Sequence, residues 1–394
     1  MEQPRLIRLI EEHLLPMLGA TIIGNSIPST NREKCVSFLD PSKIAIKADR
    51  NDEYRVVIAR GQNFDTFEKT LVDKMVNEFH SIQQVDNSYR IEIESNISKR
   101  VIASYLDSRG ILETIIDSFE AWAARTYEGG RISASVGITN RENPSSITAI
   151  HDFFKEEFSP VLSNGYDTIL VCDSNGKIDK FECLDEPLES HSTPYRLNKI
   201  AGWTRENKIA VVLNRHGEII IYKNCKLLFA KRSGNWVFFS HESVIRSMKY
   251  PQHRGLRNAI YESCLDVSFA RSGGCIAVVR HDRSDDLQKH VSTDDIISNL
   301  KNNKTRVLAR AIGSNFQNLD RRIRQELLSL DGALIMKHTG QIIAIGAIVE
   351  IASGSRGGGR YAAARSLSSL GLGVKISEDG GIIGFMNQIG IFKI

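Results

Sequence analysis

No two cysteines in this chain are spaced as CxxC: Cys35, Cys172, Cys183, Cys225, Cys264 and Cys275 stand singly. That spacing removes the zinc-ribbon and thioredoxin-type classes, and the six read as reduced, mostly buried thiols. Long apolar runs are missing as well, since no stretch approaches the roughly 18 residues a membrane-spanning helix requires. The opening "MEQPRLIRLIEEHLLPML" has neither the basic start nor the small-residue cleavage site of a secretory signal. The expectation is a cytoplasmic protein with no membrane partner. An excess of one charge sign is also absent. The 51 basic and 47 acidic residues leave a net charge of +4, too balanced for a general nucleic-acid binder, so any basic site must be local. Neither a P-loop nor a Rossmann fingerprint occurs. No Ser-His-Asp set or metal-ligand cluster is visible in chain order.

What is present is length and ordinary globular composition. With 394 residues, 41% hydrophobic and 25% charged, the chain is long enough for two or three domains and apolar enough to fold throughout. Leu6, Ile7, Leu9, Ile10, Leu14 and Leu15 recur at helical spacing, and Gly19 is placed to end that helix. "DTFEKTLVDKMVNEFHSIQQ" and "SRGILETIIDSFEAWAART" share the helical period, whereas "YRVVIARG", "YRIEIES" and "GRISASVGI" alternate as strands do. Residues 1–150 are therefore expected to form an N-terminal α+β domain, with no motif attached to chemistry.

From Tyr166 onward, "YDTILVCDSNGKI", "KIAVVLNRHGEIIIY" and "KLLFAKRSGNWVFF" are apolar strands broken by Asn-Gly, His-Gly and Ser-Gly turns, the short-range pattern of β-hairpins. Residues 160–245 are expected to be a β-rich segment packed on the C-terminal domain. "DEPLESHSTPYRLNK" between them reads as a loop. Trp122, Trp203 and Trp236 read as core anchors, and His216 and His338, each just before a glycine turn, as solvated turn residues. In the last third, "RGLRNAIYESCLDVSFARS", "STDDIISNLKNN" and "NLDRRIRQELLSL" read as helices alternating with strands such as "GGCIAVVRH". The expected class is mixed α+β, its C-terminal domain over 253–394 a mixed sheet flanked by helices. Arg306, Arg310, Arg321, Arg322 and Arg324 are expected on a solvated face.

Two stretches of the last third could carry chemistry. Asp331 and Gly332 stand where a helix hands over to a strand, a place where a carboxylate is positioned by the sheet yet faces outward. Downstream, "GSRGGGRYAAARSLS" puts Ser355, Arg356, Gly357, Gly358, Gly359 and Arg360 directly before strong helix formers. Consecutive glycines let backbone N–H groups converge on an oxygen-rich ligand, a helix start adds donors and a positive dipole, and arginine offers forked donors matched to phosphate.

Asp331-Gly332-Ala333, the following strand pair, the basic glycine loop entering a helix, and "SED" at Ser377–Asp379 together resemble the diadenylate cyclase domain of the bacterial DNA-integrity-scanning family, from near His253 to the C-terminus. That family carries a DGA motif and a downstream G-[ST]-R-H-R-A-A-like motif. The resemblance implies that Asp331 handles a metal, Mg²⁺ or Mn²⁺, and the ribose 3′-hydroxyl that attacks an α-phosphate, with Gly332 and Ala333 completing its motif and the Arg-rich loop holding phosphates. The match departs from the family at several positions. Arg360 falls on the first arginine, but Tyr361 stands at the histidine and Ala362 at the second arginine. A second register sets Gly354, Ser355 and Arg356 on G-[ST]-R, and Leu330 precedes Asp331 where the family often has histidine. Missing cations cost a phosphoryl-transfer rate more than they cost phosphate binding. The expected function is thus a nucleotide-binding sensor or regulatory protein that takes ATP or a cyclic dinucleotide, of the kind found in bacterial defence signalling; the alternative is an active diadenylate cyclase. A homo-oligomer and a separate effector protein are the partner classes that fit.

Overall fold

The computed structural model describes residues 3–25, 34–47, 55–82, 87–108, 110–142, 148–297, 306–308, 310, 312–350 and 357–394. The chain divides by contact into two compact units, Met1–Ser240 and His241–Ile394.

The first unit begins with the expected amphipathic helix, continuous from Gln3 to Leu18 through one π-helical turn at Ile10–Leu14 and ended by Gly19 in the left-handed region at φ 61°. Leu6, Leu9, Ile10 and Leu14 are fully buried, as their spacing requires. Four antiparallel strands follow, β1 (Thr21–Asn25), β2 (Val36–Asp40), β3 (Lys43–Lys47) and β4 (Arg55–Ala59), in the order β1-β4-β3-β2. The helix Thr66–Ser81 starts on a capping box in which Asp65 and Glu68 satisfy each other's backbone N–H groups. "YRIEIES", whose alternation predicts a strand, is instead part of the helix Asn87–Ser95. Its alternation buries no sheet face, since Ile91 is 80% exposed. The helical conformation, favoured by its glutamates, delivers the Glu94 carboxylate to Arg5 at 2.8 Å and to Arg8.

After a two-residue hairpin, β5 (Thr126–Tyr127) with β6 (Gly130–Arg131), comes a second sheet of β7 (Ala134–Ile138), β8 (Thr168–Cys172), β9 (Ile178–Cys183), β10 (Ile209–Leu213), β11 (Ile219–Lys223), β12 (Lys226–Arg232) and β13 (Asn235–Phe238). Its order is β13-β12-β11-β10-β7-β8-β9, with β7 and β8 parallel and the other pairs antiparallel. The hairpins expected over 160–245 are here, but β7, from within 1–150, lies between β10 and β8. A division at 150 and 160 cuts through this sheet. Every residue of β7 is buried, so it needs a neighbour on each side and packing on both faces, a demand no local pattern states. One hydrophobic core runs from Leu6 to Phe238 and includes Trp122 and Trp236.

The second unit is a six-stranded mixed sheet of β14 (Gly274–Val279), β15 (Ala333–Lys337), β16 (Ile342–Ala347), β17 (Gly371–Ile376), β18 (Ile382–Met386) and β19 (Ile389–Lys393), in the order β16-β15-β14-β17-β18-β19. β14 and β15 are parallel and the remaining pairs antiparallel. Side chains alternate along β14: Cys275, Ala277 and Val279 pack with Ala363, Ala364 and Leu367 of the helix Gly359–Leu367, while Gly274 faces Leu328 of the helix Arg321–Ser329. The unit is therefore a sheet flanked by helices, as expected. It begins earlier than His253, with the helix His241–Ser247, where His241 Nδ1 lies 2.8 Å from the buried Tyr261 hydroxyl.

Two expectations fail here. "STDDII" forms only a 3₁₀ turn, Thr293–Asp295, capped by Ser292, and then Ile296 bridges to Ala344 at the sheet; residues 298–303 of the expected helix lie outside the described residues. Arg321 and Arg324 are not on a solvated face. Arg321 binds both oxygens of Asp266 at 2.6 and 2.9 Å, and Arg324 reaches Glu262 at 2.7 Å, pinning this helix to Arg254–Ala270. Among the described residues no helix is long and apolar enough to cross a membrane.

Candidate functional site

Parallel pairing of β14 with β15 sets the first residues of both strands at one edge of the sheet. The antiparallel partners end there: Gly274 faces Ile376 at the close of β17, and Ala333 faces Ala347 at the close of β16. Asp331-Gly332-Ala333 and the Ser377–Asp379 turn, distant in sequence, thus share one edge. The helix Gly359–Leu367 starts at the same place, since Arg360 Nη1 is 2.7 Å from Glu378 Oε1 and its guanidinium lies against Gly273.

Gly332 sits at φ 96°, and a Cβ there would come within 2.5 Å of the Gly346 carbonyl carbon and 2.8 Å of Ala347 O. Only glycine lets the chain turn into β15 this close to β16. The Asp331 side chain is exposed, with one oxygen accepting the Gly332 N–H at 3.1 Å. No cation pairs with it among the described residues. Gly358, at φ 80°, caps the helix, and Gly357 lies against the Tyr361 ring, where a Cβ would meet Cγ at 2.5 Å. Ser355 and Arg356 lie outside the described residues.

Arg360 already has an anionic partner. Glu378 is 68% exposed and Arg360 31%, so the pair is a surface ion pair worth about 0–1 kcal/mol, weak enough for a ligand phosphate to displace the carboxylate. Arg271 Nη1 donates to the Glu378 carbonyl at 3.3 Å. Asp379 is held below the usual carboxylate range first by the Ser377 hydroxyl and also by the Gly381 N–H, so it stays charged. Two guanidinium groups and three carboxylates therefore share this edge.

Tyr361 and Ala362 have structural duties. The Tyr361 ring packs edge-on to Phe385 at 5.1 Å between centroids, and Ala362 is 8% exposed, so neither position presents a charge. Burial pushes the Cys275 thiol beneath this edge up to about 12, which leaves it an inert core residue. Of the six cysteines, Cys172, Cys264 and Cys275 are buried, Cys35 and Cys225 half-buried, and Cys183 exposed.

No group of three or more His, Cys, Asp or Glu side chains among the described residues could hold a metal. Asp331 by itself is too small a donor set for a resident ion. It does fit the manner in which Mg²⁺ is held at nucleotide sites, by one or two carboxylates plus phosphate oxygens and water. The first unit has a cavity of about 330 Å³ beside Trp203, Glu182 and Lys180 and the second has one of about 520 Å³ beside Ile297, Asn315 and Gln341; neither is lined by residues of the Asp331 edge.

Sequence reasoning missed Arg271, Gly273 and the role of Glu378. The glycine pair after the helix in "ARSGGC" signals a close approach of chain segments. The Arg360–Glu378 contact has no signal in the sequence, because it depends on which strand ends meet.

The chain matches no family model and no curated protein. Among solved structures, a crystal structure of a double mutant of DacA from Staphylococcus aureus is a weak neighbour, 18% identical, covering 31% of this chain and 86% of that one, with a TM-score of 0.22. A likeness that weak establishes neither fold nor function.

Proposed function

We propose that the second unit is a nucleotide-binding module that holds the phosphates of ATP or a cyclic dinucleotide at this sheet edge, and that the protein is a sensor or regulator of the kind that serves bacterial defence signalling. The observation that supports this reading most is the meeting, at one edge, of Asp331-Gly332 with the glycine-capped start of the helix that carries Arg360. Backbone donors at a helix start and a displaceable guanidinium suit an anion. Arg360 supplies forked hydrogen bonds, Gly357–Gly359 allow close backbone approach, and Asp331 shares a phosphate-bound Mg²⁺ or Mn²⁺. Ser355 and Arg356, next to these in sequence, supply a further hydroxyl and guanidinium for phosphate.

Titrating the full chain with ATP and with cyclic di-AMP by calorimetry, with and without Mg²⁺ or Mn²⁺, tests the reading. Binding of at least one is expected, weakened roughly 10- to 100-fold by Arg360→Ala, the range set by hydrogen bonds to charged groups. No binding of either, under any metal condition, overturns it.

One observation favours a second reading, an active diadenylate cyclase condensing two ATP: the Asp331 carboxylate is exposed and has no cationic partner among the described residues, as a group that must reach a metal and a hydroxyl would be. Against it, Tyr361 and Ala362 supply no charge for the transferred phosphate. Incubation with ATP and each metal decides: cyclic product abolished by Asp331→Asn supports the cyclase, and no product supports a binding role.

A further inference from the structure

The two units contain the same fold. In both sheets a first strand (β7, β14) pairs in parallel with a second (β8, β15), which turns back into a third at the edge (β9, β16). On its other side the first strand pairs antiparallel with a fourth (β10, β17), followed by two hairpin strands (β11 and β12, β18 and β19). The agreement extends to single residues. The turns after β8 and β15 close with matching bonds, Asp173 N–H to Lys177 O and Lys337 N–H to Gln341 O, both 2.8 Å, around Gly176 at φ 76° and Gly340 at φ 91°. The turns after β10 and β17 repeat that bond, Asn214 to Glu218 and Ser377 to Gly381, around Gly217 and Gly380. The next turns both place two non-glycine residues at positive φ, Asn224-Cys225 and Asn387-Gln388. Register slips fall at Val171/Cys172 and at Ile335/Met336, and again at Ile221/Tyr222 and at Gly384/Phe385, while β15 has one further slip, at Ala333/Ile335, that β8 lacks. Bulges are placed residue by residue, so coincidence at both points is not a product of general β architecture. A helix precedes the fourth strand in each and lies over the same face of the first, Trp203 against Gly137 and Ala364 with Ala277.

Superposing the turns sets Asp173 on Lys337, and counting back sets Asp167 on Asp331. Asp167 opens β8 as Asp331 opens β15, and Lys199, on the helix before β10, reaches it at 3.7 Å. The second pair of turns sets Arg215 and His216 on Glu378 and Asp379, so the charge on that turn is reversed. Arg215 is exposed and has no acidic partner among the described residues, and the exposed Asp185 and Glu186 follow Leu184, whose N–H donates to the Asp167 carbonyl at 2.7 Å. A Cβ on Gly165 would lie 2.5 Å from Ser133 Oγ and 3.3 Å from Leu213 O, so the approach to β8 and the end of β10 share one edge.

We infer that the edge formed by Asp167, Lys199 and Arg215 is a second phosphate-ligand site, the counterpart in the first unit of the Asp331 edge. The inference rests on the nucleotide reading of that edge for its ligand class. Lys199 and Arg215 are the groups that would meet phosphate oxygens there, as Arg360 does at the other edge.

The test is the stoichiometry of ATP and of cyclic di-AMP on the full chain, by calorimetry at low salt, for wild type, Arg360→Ala and the double variant Lys199→Ala/Arg215→Ala. All substituted side chains are at least partly exposed, and circular dichroism checks that each variant folds. Two equivalents of a nucleotide are expected, one weakened at least tenfold by Lys199→Ala/Arg215→Ala and the other by Arg360→Ala. A single equivalent sensitive only to Arg360→Ala, or two equivalents indifferent to the double variant, overturns the second site and leaves the first standing. A single equivalent sensitive only to the double variant does the reverse. No binding overturns both.

Discussion

Gly332 and Arg360 stand at the same edge and have opposite energetic roles. A Cβ at Gly332 would strike the backbone of Gly346 and Ala347, which cannot yield as a side-chain tip can. Gly332→Ala is expected to cost about 1–3 kcal/mol, from the positive φ and the contact together, read as a lowered denaturation midpoint of the second unit. Arg360→Ala removes one surface ion pair and is expected to change stability by less than about 1 kcal/mol while weakening nucleotide binding. If Arg360→Ala instead unfolded the unit, its role would be structural. Asp331, Gly332 and the glycine loop were legible as residues because their types are tied to backbone geometry and phosphate chemistry. Glu378 was not, since nothing in a glutamate near the chain end states which cation it will meet.

Among the elements, the helix Gly359–Leu367 depends on a glycine in the strand beneath it. A Cβ at Gly373 of β17 would overlap the Ala364 carbonyl, so helix and strand touch backbone to backbone. Gly373→Val is expected to push the helix off the sheet and cost roughly 1–3 kcal/mol or more as overpacking, and with it to reduce nucleotide binding, because the helix start carries Arg360. Binding unchanged in a folded Gly373→Val protein would detach the site from this helix. In the first unit, the opening helix carries His13, 9% exposed with Nδ1 at 3.0 Å from Ser98 Oγ. Burial lowers its pKa below the ordinary 6.5, outweighing the opposing pull of Glu12 and Glu94. The unfolded chain therefore takes up a proton that the folded chain resists. The contribution to stability is present above 6.5 and lost as pH falls through the depressed value. The unfolding midpoint of the first unit should drop on acidification below neutrality, and His13→Gln should flatten that drop. Helices were read well where a full apolar stripe was present, as at Leu6–Leu15, and badly where alternation was short, as in "YRIEIES", whose Ile91 is exposed in the end.

At the scale of the molecule, the two units have separate sheets, and each sheet carries a hydrophobic cluster of its own, one around Leu6–Phe238 and one around Cys275–Phe385. Calorimetric unfolding is expected to show two transitions, of which Gly373→Val lowers only one. A single transition displaced as a whole would mean that the units unfold together. The sequence by itself determined many strands of the two larger sheets, the glycine turns between them, the mixed α+β class and the residue types at the Asp331 edge, because period-2 alternation, positive-φ demands and helix starts are local properties. Tertiary structure decided which strands are neighbours. It placed β7 inside the sheet of the supposedly separate β-rich segment, turned Arg321 and Arg324 inward onto Asp266 and Glu262, and gave both units one strand order. Pairing partners are selected by burial over long sequence separations, and that selection leaves no periodic trace in the chain.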